Sequence, residues 1–224
     1  RHLCVYPAQA EVLLVRIVTD DGLVGWGEAH APPIPRVAQA LITDLLAPQL
    51  IGRDPRAIDA HWEAMYASMR LRGYAGGVML EAMAGVDIAL WDLLGKACGQ
   101  PVYRMLGGYT NSIKAYCSTG SVTDAGAHID FAHNAIARGY RAIKLRMHRA
   151  TVDHDLAVVR AVRDAVGDRL EIMADANQAQ NPYWTRADAL RAARGLQELG
   201  AAWLEEPLAM HDAEGLAMVA GAVD

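Results

Sequence analysis

The sequence predicts an α/β protein in two parts, an α+β domain over residues 1–110 and a series of strand–helix units over residues 111–224. In the first part the predicted strands precede the helices, which is the order of an α+β domain. In the second part strands and helices alternate, which is typical of a parallel sheet covered by helices. Several of the buried strands predicted there end in charged residues, and these charges indicate a functional site.

The first domain is predicted to begin with a β-hairpin. Residues 11–18 are β-rich, a turn follows at 19–22, and residues 23–29 return. Prolines predict a rigid, non-helical connector over 31–35. Helices are predicted where apolar residues recur at helical spacing, at 37–46, 55–69 and 78–98. The loop at 72–77, RGYAGG, lacks the glycine spacing of a nucleotide-binding loop.

The second domain is predicted to contain four strand–helix units. The strands are predicted at 113–117, 140–146, 170–174 and 201–204. The helices are predicted at 124–138, 153–166, 185–199 and from about residue 212. Four units in about 112 residues match half of a TIM-type barrel, which has eight units and about 250 residues. Four strands cannot close a barrel. We therefore expect the sequence to stop within this domain, and we expect a further segment before Arg1.

The composition excludes several classes of partner. The formal net charge of -5 and the scarcity of basic runs argue against nucleic acid. No apolar run reaches the roughly 20 residues of a membrane span, and the start of the chain has no signal-peptide pattern. The cysteines Cys4, Cys98 and Cys117 are widely spaced and predict free thiols in a reducing compartment. We therefore expect a cytoplasmic protein that binds neither nucleic acid nor membrane.

Two acidic residues follow neighbouring strands and predict a metal site. Asp175 ends the third strand of the second domain and Glu205 ends the fourth. Adjacent parallel strands lie about 4.8 Å apart, so both carboxylates can reach one ion. Oxygen ligands without nearby Cys or His favour Mg²⁺, and a third ligand is expected from a fifth strand. The alternative is that each carboxylate caps a helix or pairs with an arginine.

Two cations end the second strand of this domain, in the stretch IKLR. Lys144 and Arg146 are two residues apart and therefore point to the same side. A lysine beside a metal and another cation can lose its proton and act as a base. An arginine stays protonated and grips a carboxylate with paired donors. This pattern predicts an anionic substrate, whereas the alternative is that both cations form salt bridges with Asp175 and Glu205.

The remaining candidates carry less weight. Asn177 lies two residues beyond Asp175 and is expected to hydrogen-bond the substrate or a ligand water. Glu206 is turned away from Glu205 by strand alternation, so we expect a structural, salt-bridged residue. His148 and His154 are expected to be solvated. The tryptophans predicted to lie in the core are Trp26, Trp62, Trp91 and Trp203.

Several motifs together resemble a known family. They are GLVGWGE at 22–28, AMAGVDIALWDLLGK at 82–96, PVYRMLGG at 101–108, DANQ at 175–178 and LEEP at 204–207. The combination covers nearly the whole chain and resembles the mandelate racemase/muconate lactonizing enzyme family of the enolase superfamily. The resemblance implies an α+β capping domain followed by a modified TIM-type barrel. It also implies a homo-oligomer, either a dimer or an octamer.

The resemblance further implies Mg²⁺ held by carboxylates on the third, fourth and fifth barrel strands. It implies abstraction of the proton α to a substrate carboxylate, giving an enediolate. Asp175 and Glu205 match the first two metal ligands, and Lys144 matches the first lysine of the family's KxK motif. Arg146 stands where the second lysine, often the base, is expected. We therefore expect Arg146 to assist electrostatically, with the proton taken by Lys144 or by a histidine beyond Asp224.

Three functional hypotheses follow. The first is a Mg²⁺-dependent lyase, an acid-sugar dehydratase that removes water from a sugar acid after proton abstraction. The second is a racemase, epimerase or cycloisomerase on the same scaffold. These two differ in whether a second acid or base faces the first. The third is a non-catalytic fragment or binding module, which predicts no metal affinity.

Overall fold

The computed structural model describes residues 2–5, 12–30, 35–74, 76–179 and 183–223, and only the backbone of residues 2–5. The chain divides into two compact units, one formed by Gln9–Asn111 and the other by Arg1–Ala8 together with Ser112–Asp224. None of the helices in the described part of the chain is long and apolar enough to cross a membrane.

The first strand, β1 (His2–Val5), belongs to the second of these units. The elements of the unit Gln9–Asn111 are, in chain order, β2 (Leu13–Val18), β3 (Val24–Ala29), α1 (Pro35–Ala40), α2 (Ala47–Leu50), α3 (Ile58–Arg70), α4 (Val78–Ala97) and α5 (Val102–Met105). A π-helical segment, Leu41–Leu46, joins α1 to α2. The predicted hairpin and long helices therefore form. Most of the predicted connector, residues 31–34, lies outside the described residues.

Helix α4 packs unusually close to the hairpin because glycines face it. Gly25 and Gly27 lie on the buried side of β3. A Cβ atom on Gly27 would lie 2.7 Å from the backbone nitrogen of Ala89 and would overlap the carbonyl oxygen of Gly85. A Cβ atom on Gly85 would in turn lie 2.8 Å from the Cβ of Ala29. Main chain therefore packs directly on main chain, which only glycine permits.

Two side chains of α4 also bind the backbone of β3. The carboxylate of Asp92 accepts a hydrogen bond of 2.8 Å from the backbone N–H of Trp26. The ammonium of Lys96 donates to the carbonyl of Val24 at 2.9 Å and pairs with Asp92 at 2.6 Å. These bonds fix the position of the strand along the helix, because they use backbone groups that strand pairing leaves free.

The prediction that the tryptophans are core residues is wrong for two of them. Trp26 is 46% exposed and Trp62 is 37% exposed. Trp26 lies on the outer face of the hairpin opposite Arg16, because its neighbours on either side are the buried glycines. Trp62 stacks on Tyr66 with ring centroids 4.9 Å apart. Trp91 and Trp203 are partly buried.

The second unit is a five-stranded parallel sheet with the order β1-β4-β5-β6-β7. Its further strands are β4 (Lys114–Ser118), β5 (Ala142–Arg146), β6 (Glu171–Asp175) and β7 (Leu204–Glu205). Its helices are α6 (Ala125–Ala137), α7 (Val152–Val166), α8 (Arg186–Glu198) and α9 (Ala213–Ala220). The predicted α/β class and partial barrel are confirmed. The boundary near residue 110 stays a prediction, and β1, which the sequence analysis did not predict, pairs with β4.

The helices of the second unit begin at side-chain caps. Their N-caps are Asp124, Thr151, Thr185 and Asp212, each of which accepts a hydrogen bond from a backbone N–H of the first turn. Thr185 and Asp188 form a reciprocal capping box. Each cap lies where the loop after a strand meets the next helix. The caps therefore fix the residue at which each of these loops stops.

We predict that Gly27→Ala destabilises this chain, because the added methyl group meets the backbone of α4 rather than a flexible side chain. Overpacking of this kind costs about 1–3 kcal/mol. Urea unfolding should show a lower midpoint. The matched control is Gly76→Ala, where a Cβ meets nothing within 4 Å. Equal midpoints for the two variants would contradict the close backbone packing.

Candidate active site

The charged residues predicted at the strand ends lie side by side. Arg146 of β5 is paired in register with Asp175 of β6, and Asp175 is paired with Glu205 of β7. Lys144 lies two residues before Arg146 on the same strand. The parallel ladder therefore brings the four charges together at one edge of the sheet, as its geometry requires.

Lys144 lies between the two carboxylates. Its ammonium is 2.8 Å and 2.9 Å from the carboxylate oxygens of Glu205 and 3.1 Å from Oδ2 of Asp175. The side chains of Lys144 and Asp175 are each 4% exposed, whereas that of Glu205 is 39% exposed. The salt bridges that were the alternative interpretation are therefore present. The same contacts place both carboxylates within reach of a single cation.

The environment of Lys144 sets the direction of its pKa shift. Burial by itself lowers the pKa of the ammonium. The hydrogen bonds and charges of Glu205 and Asp175 act in the opposite sense and together outweigh burial, so the pKa of Lys144 is raised above its ordinary value. With both carboxylates turned towards it, Lys144 is favoured in its ammonium form, and its expected role as a base, shared as an alternative with a histidine beyond Asp224, stays a prediction.

Two aromatic side chains, Tyr116 and Trp203, pack together next to Lys144. The ring centroid of Tyr116 is 5.8 Å from the ammonium of Lys144, which is within the range of a cation–π contact. Trp203 meets Tyr116 edge to face at 5.6 Å. Sequence reasoning treated Trp203 as simple core. Trp203 directly precedes β7, and its spacing of two residues from Glu205 is the signal that its side chain lies on the same side as that of Glu205.

Arg146 is held by its backbone, and the Nε of its guanidinium is buried without a partner among the described residues. Its backbone N–H donates to the hydroxyl of Thr119 at 3.0 Å, and that hydroxyl also lies 3.2 Å from the carbonyl of Lys144. Within the described part of the chain, Nε of Arg146 is buried and has no hydrogen-bond partner. An unpaired buried donor beside the two carboxylates is available to a ligand.

Asn177 and Glu206 follow the two carboxylates and both have a backbone φ of 49°. The backbone N–H of Asn177 donates to Oδ1 of Asp175 at 3.0 Å, and its Nδ2 donates to Glu206 at 3.4 Å. The expectation that Glu206 is salt-bridged is not met, since no ion pair of Glu206 is found among the described residues. The left-handed backbone breaks the strand alternation on which that expectation depended.

The loops that follow β5 and β6 contain two residues that the sequence analysis missed. His148 is half-buried rather than solvated, because its Nδ1 lies 3.1 Å from the carbonyl of Ala176 and its ring meets that of Tyr183. Gln178 is fully buried and accepts hydrogen bonds from the backbone of Tyr183 and Trp184. The spacing of His148, two residues after Arg146, was the available signal.

A buried ion pair supports the loop that carries His148. Arg149 pairs with Asp155 at 2.7 Å, and Asp155 is fully buried. Burial raises the pKa of the Asp155 carboxyl group, and the hydrogen bonds and charge of Arg149 oppose that shift. Tyr183 donates its hydroxyl hydrogen to the carbonyl of Arg149 at 2.5 Å. The loops after β5 and β6 are thereby tied to each other.

The donors at the strand ends fit a hard divalent cation. Asp175 and Glu205 supply only oxygen atoms, which Mg²⁺ prefers, and they converge on one cation in the structure, the ammonium of Lys144. Among the described residues, no group of three or more His, Cys, Asp or Glu side chains is placed to hold a metal ion. The third ligand therefore stays a prediction.

Comparison with protein families agrees with this geometry. Residues 6–107 match the mandelate racemase / muconate lactonizing enzyme N-terminal domain, and residues 127–224 match the enolase C-terminal domain-like family. The chain belongs to the mandelate racemase/muconate lactonizing enzyme family. The resemblance stated from the sequence motifs is confirmed, and with it the membership of the enolase superfamily.

Relatives in this family include dehydratases and isomerases. Arabinonate dehydratase of Saccharolobus solfataricus is 32% identical over 201 residues, which cover 88% of this chain and 52% of the relative. D-galactarolactone cycloisomerase of Agrobacterium fabrum is 34% identical over 216 residues, which cover 92% and 54%. A racemase from Streptomyces coelicolor A3(2), whose crystal structure has bound magnesium, superposes with a TM-score of 0.87 at 30% identity and covers 94% of this chain and 62% of its own. The chain spans about half the length of the curated relatives it matches.

We predict that Lys144→Met is much more destabilising at pH 7 than Lys114→Met. Removing Lys144 leaves the buried carboxylate of Asp175 unpaired beside Glu205, and breaking a buried pair costs about 3 kcal/mol. The matched control, Lys114, pairs with Glu171 in the same sheet but is 63% exposed. An exposed pair contributes about 1 kcal/mol or less. Similar urea midpoints for the two variants would contradict the buried role of Lys144.

The pH dependence of this contribution has a definite sign. The folded-state pKa of Lys144 is raised, so its contribution is complete below the unfolded pKa of about 10.4. It is lost as pH rises through the higher folded-state pKa. We therefore expect the difference in unfolding free energy between the wild type and Lys144→Met to shrink above about pH 10.4. Urea unfolding at pH 7, 9 and 11 measures that difference.

Proposed function

We propose that the full-length protein is a Mg²⁺-dependent lyase that eliminates water from a sugar acid. The convergence of Asp175 and Glu205 on one cation is the observation that carries the proposal. Dehydratases of sugar acids among the relatives support it, including arabinonate dehydratase and L-talarate/galactarate dehydratase. In the proposed reaction a base takes the proton α to the carboxylate, and the electron pair of that C–H bond remains as an enediolate. This pair then forms the Cα=Cβ bond as the C–O bond to the β-hydroxyl breaks, and the hydroxyl leaves with a proton as water.

Asp175 and Glu205 would hold the metal ion, with a further ligand from outside the described residues. When bound, Mg²⁺ would supply positive charge beside the substrate carboxylate and would compete with Lys144 for the two carboxylates. That competition opposes the interactions that raise the pKa of Lys144. The two proposed ligands are paired in register on adjacent strands, so both side chains can bind the same ion.

The proposed catalytic residues of this chain are Lys144 and Arg146. The guanidinium of Arg146 can bind a carboxylate through paired donors, and its buried Nε has no partner within the described residues. Lys144 is the candidate base once the carboxylates no longer hold its proton. A histidine outside this chain is the alternative base. Asn177 is the proposed contact for a substrate hydroxyl, since its Oδ1 is also unpaired.

A second candidate is an isomerase, either a cycloisomerase or a racemase. D-galactarolactone cycloisomerase and a racemase structure are similar to this chain to the same degree as the dehydratases. All these activities would share abstraction of the α-proton, so the residues proposed above would keep their roles. The cytoplasmic location, the sugar-acid substrate and the homo-oligomer also stay predictions.

The metal site is tested by calorimetric titration of Mg²⁺ into this chain and into the full-length protein. We expect Asp175→Asn and Glu205→Gln to abolish binding by the full-length protein, because each removes a charged oxygen ligand. The matched control is Glu171→Gln, which removes a carboxylate at the other end of β6. Unchanged affinity in the two site variants would remove Asp175 and Glu205 as the proposed metal ligands. Absence of Mg²⁺ binding by the wild-type full-length protein would favour a non-catalytic binding module.

The reaction class is tested by proton NMR in D₂O, with full-length protein, Mg²⁺ and a panel of sugar acids. We expect loss of the α-proton signal and appearance of a 2-oxo-3-deoxy acid. Exchange of the α-proton for deuterium without loss of water would identify the isomerase alternative. Neither change for any acid in the panel would contradict both.

A further inference from the structure

Two residues at the strand ends have a backbone conformation that disfavours ordinary side chains. Asn177 and Glu206, each with a φ of 49°, are the non-glycine residues with positive φ in the described part of the chain. Asparagine tolerates this region comparatively well, whereas glutamate does not. Glu206 also precedes Pro207, and a residue before proline favours negative φ. A disfavoured backbone beside a site points to a role for the side chain.

The contacts of Glu206 concentrate on the segment that carries Asn177. Its carbonyl accepts a hydrogen bond of 3.0 Å from the backbone N–H of Gln178. Its carboxylate accepts a longer bond of 3.4 Å from Nδ2 of Asn177. An ionised carboxylate can only accept. Glu206 therefore selects the NH₂ side of the Asn177 amide and turns Oδ1 the other way.

The oxygen turned away by this contact is unsatisfied. Oδ1 of Asn177 is buried and has no hydrogen-bond donor within the described residues. A buried acceptor without a partner costs free energy, so it requires an explanation such as a ligand. Because the oxygen is covered in the structure, the donor has to arrive together with a shift of the covering side chains. A hydroxyl group on a ligand seated against Asp175 is a donor of suitable size.

We infer that Glu206 is a positioning residue that orients the Asn177 amide to accept a hydrogen bond from a substrate hydroxyl. The inference rests on the proposed function, in which the substrate is a sugar acid with a hydroxyl near its carboxylate. An acid without that hydroxyl leaves the buried acceptor unpaired and binds more weakly. Glu206 touches neither the reacting atoms nor the metal in this scheme, and it acts through Asn177.

The variants Glu206→Leu and Glu206→Gln separate positioning from packing. Both place a side chain of similar size at the same position, but only glutamine retains an oxygen that accepts from Nδ2 of Asn177. In this chain, hydrogen exchange of the Asn177 side-chain NH₂, followed by ¹⁵N NMR, reports the contact directly. We expect exchange to become about tenfold faster in Glu206→Leu and to change little in Glu206→Gln, as for loss of one weak hydrogen bond.

Binding to the full-length protein then measures the consequence. The probes are D-arabinonate and 2-deoxy-D-ribonate, which differ at the 2-hydroxyl group, titrated in the presence of Mg²⁺. We expect the wild type and Glu206→Gln to prefer the hydroxylated acid by about tenfold. We expect Glu206→Leu to lose most of that preference while its Mg²⁺ affinity is unchanged. In an Asn177→Leu background the Glu206→Leu change should have no further effect, which a general packing defect would not reproduce.

The possible failures are distinguishable. Unchanged NH₂ exchange in Glu206→Leu, or a preference for the hydroxylated acid that survives this change, overturns the role of Glu206 and leaves the proposed function intact. Loss of preference that persists additively in the Asn177→Leu background also overturns it. Absence of Mg²⁺ binding in the wild-type full-length protein overturns the proposed function, and the role given to Glu206 with it.

Discussion

The balance of charge at the ends of β5, β6 and β7 is the constraint on which the rest of the site depends. Parallel pairing in register brings the ends of these strands to one edge, so Asp175 and Glu205 necessarily meet. Two carboxylates at one point repel each other unless a cation lies between them. In the structure that cation is the ammonium of Lys144. The aromatic ring of Tyr116 contacts this ammonium. The left-handed backbone at Asn177 and Glu206 follows directly after the two carboxylates.

In the proposed function this arrangement has two compatible states of charge. A protonated lysine and a divalent metal ion both neutralise carboxylates, and they would compete for the same oxygen atoms. A fold that keeps its lysine within 3.1 Å of both groups does not need the metal in order to hold the strand ends together. The metal affinity of such a site would therefore report how much more strongly the carboxylates bind the metal ion than they bind the ammonium of Lys144.

Much of the fold and part of the site followed from the sequence, for identifiable reasons. The alternation of strands and helices implied a parallel sheet, and a parallel sheet implied that Asp175 and Glu205 are neighbours. The direction of the Lys144 pKa shift did not follow, because it depends on distances of about 3 Å that no pattern encodes. The position of Glu206 did not follow either, because strand alternation ends where the backbone turns left-handed. His148 was misjudged because its partners, Ala176 and Tyr183, come from another loop.

The glycines between the hairpin and α4 have a consequence for how this unit can change in evolution. Where side chains form an interface, a loss of volume on one side can be offset by a gain on the other. At Gly25 and Gly27 there is no volume to exchange, since an added Cβ would meet main-chain atoms of α4. A larger residue at Gly25 or Gly27 therefore has no smaller residue across the contact to offset it, so the hairpin and α4 constrain each other's sequence directly.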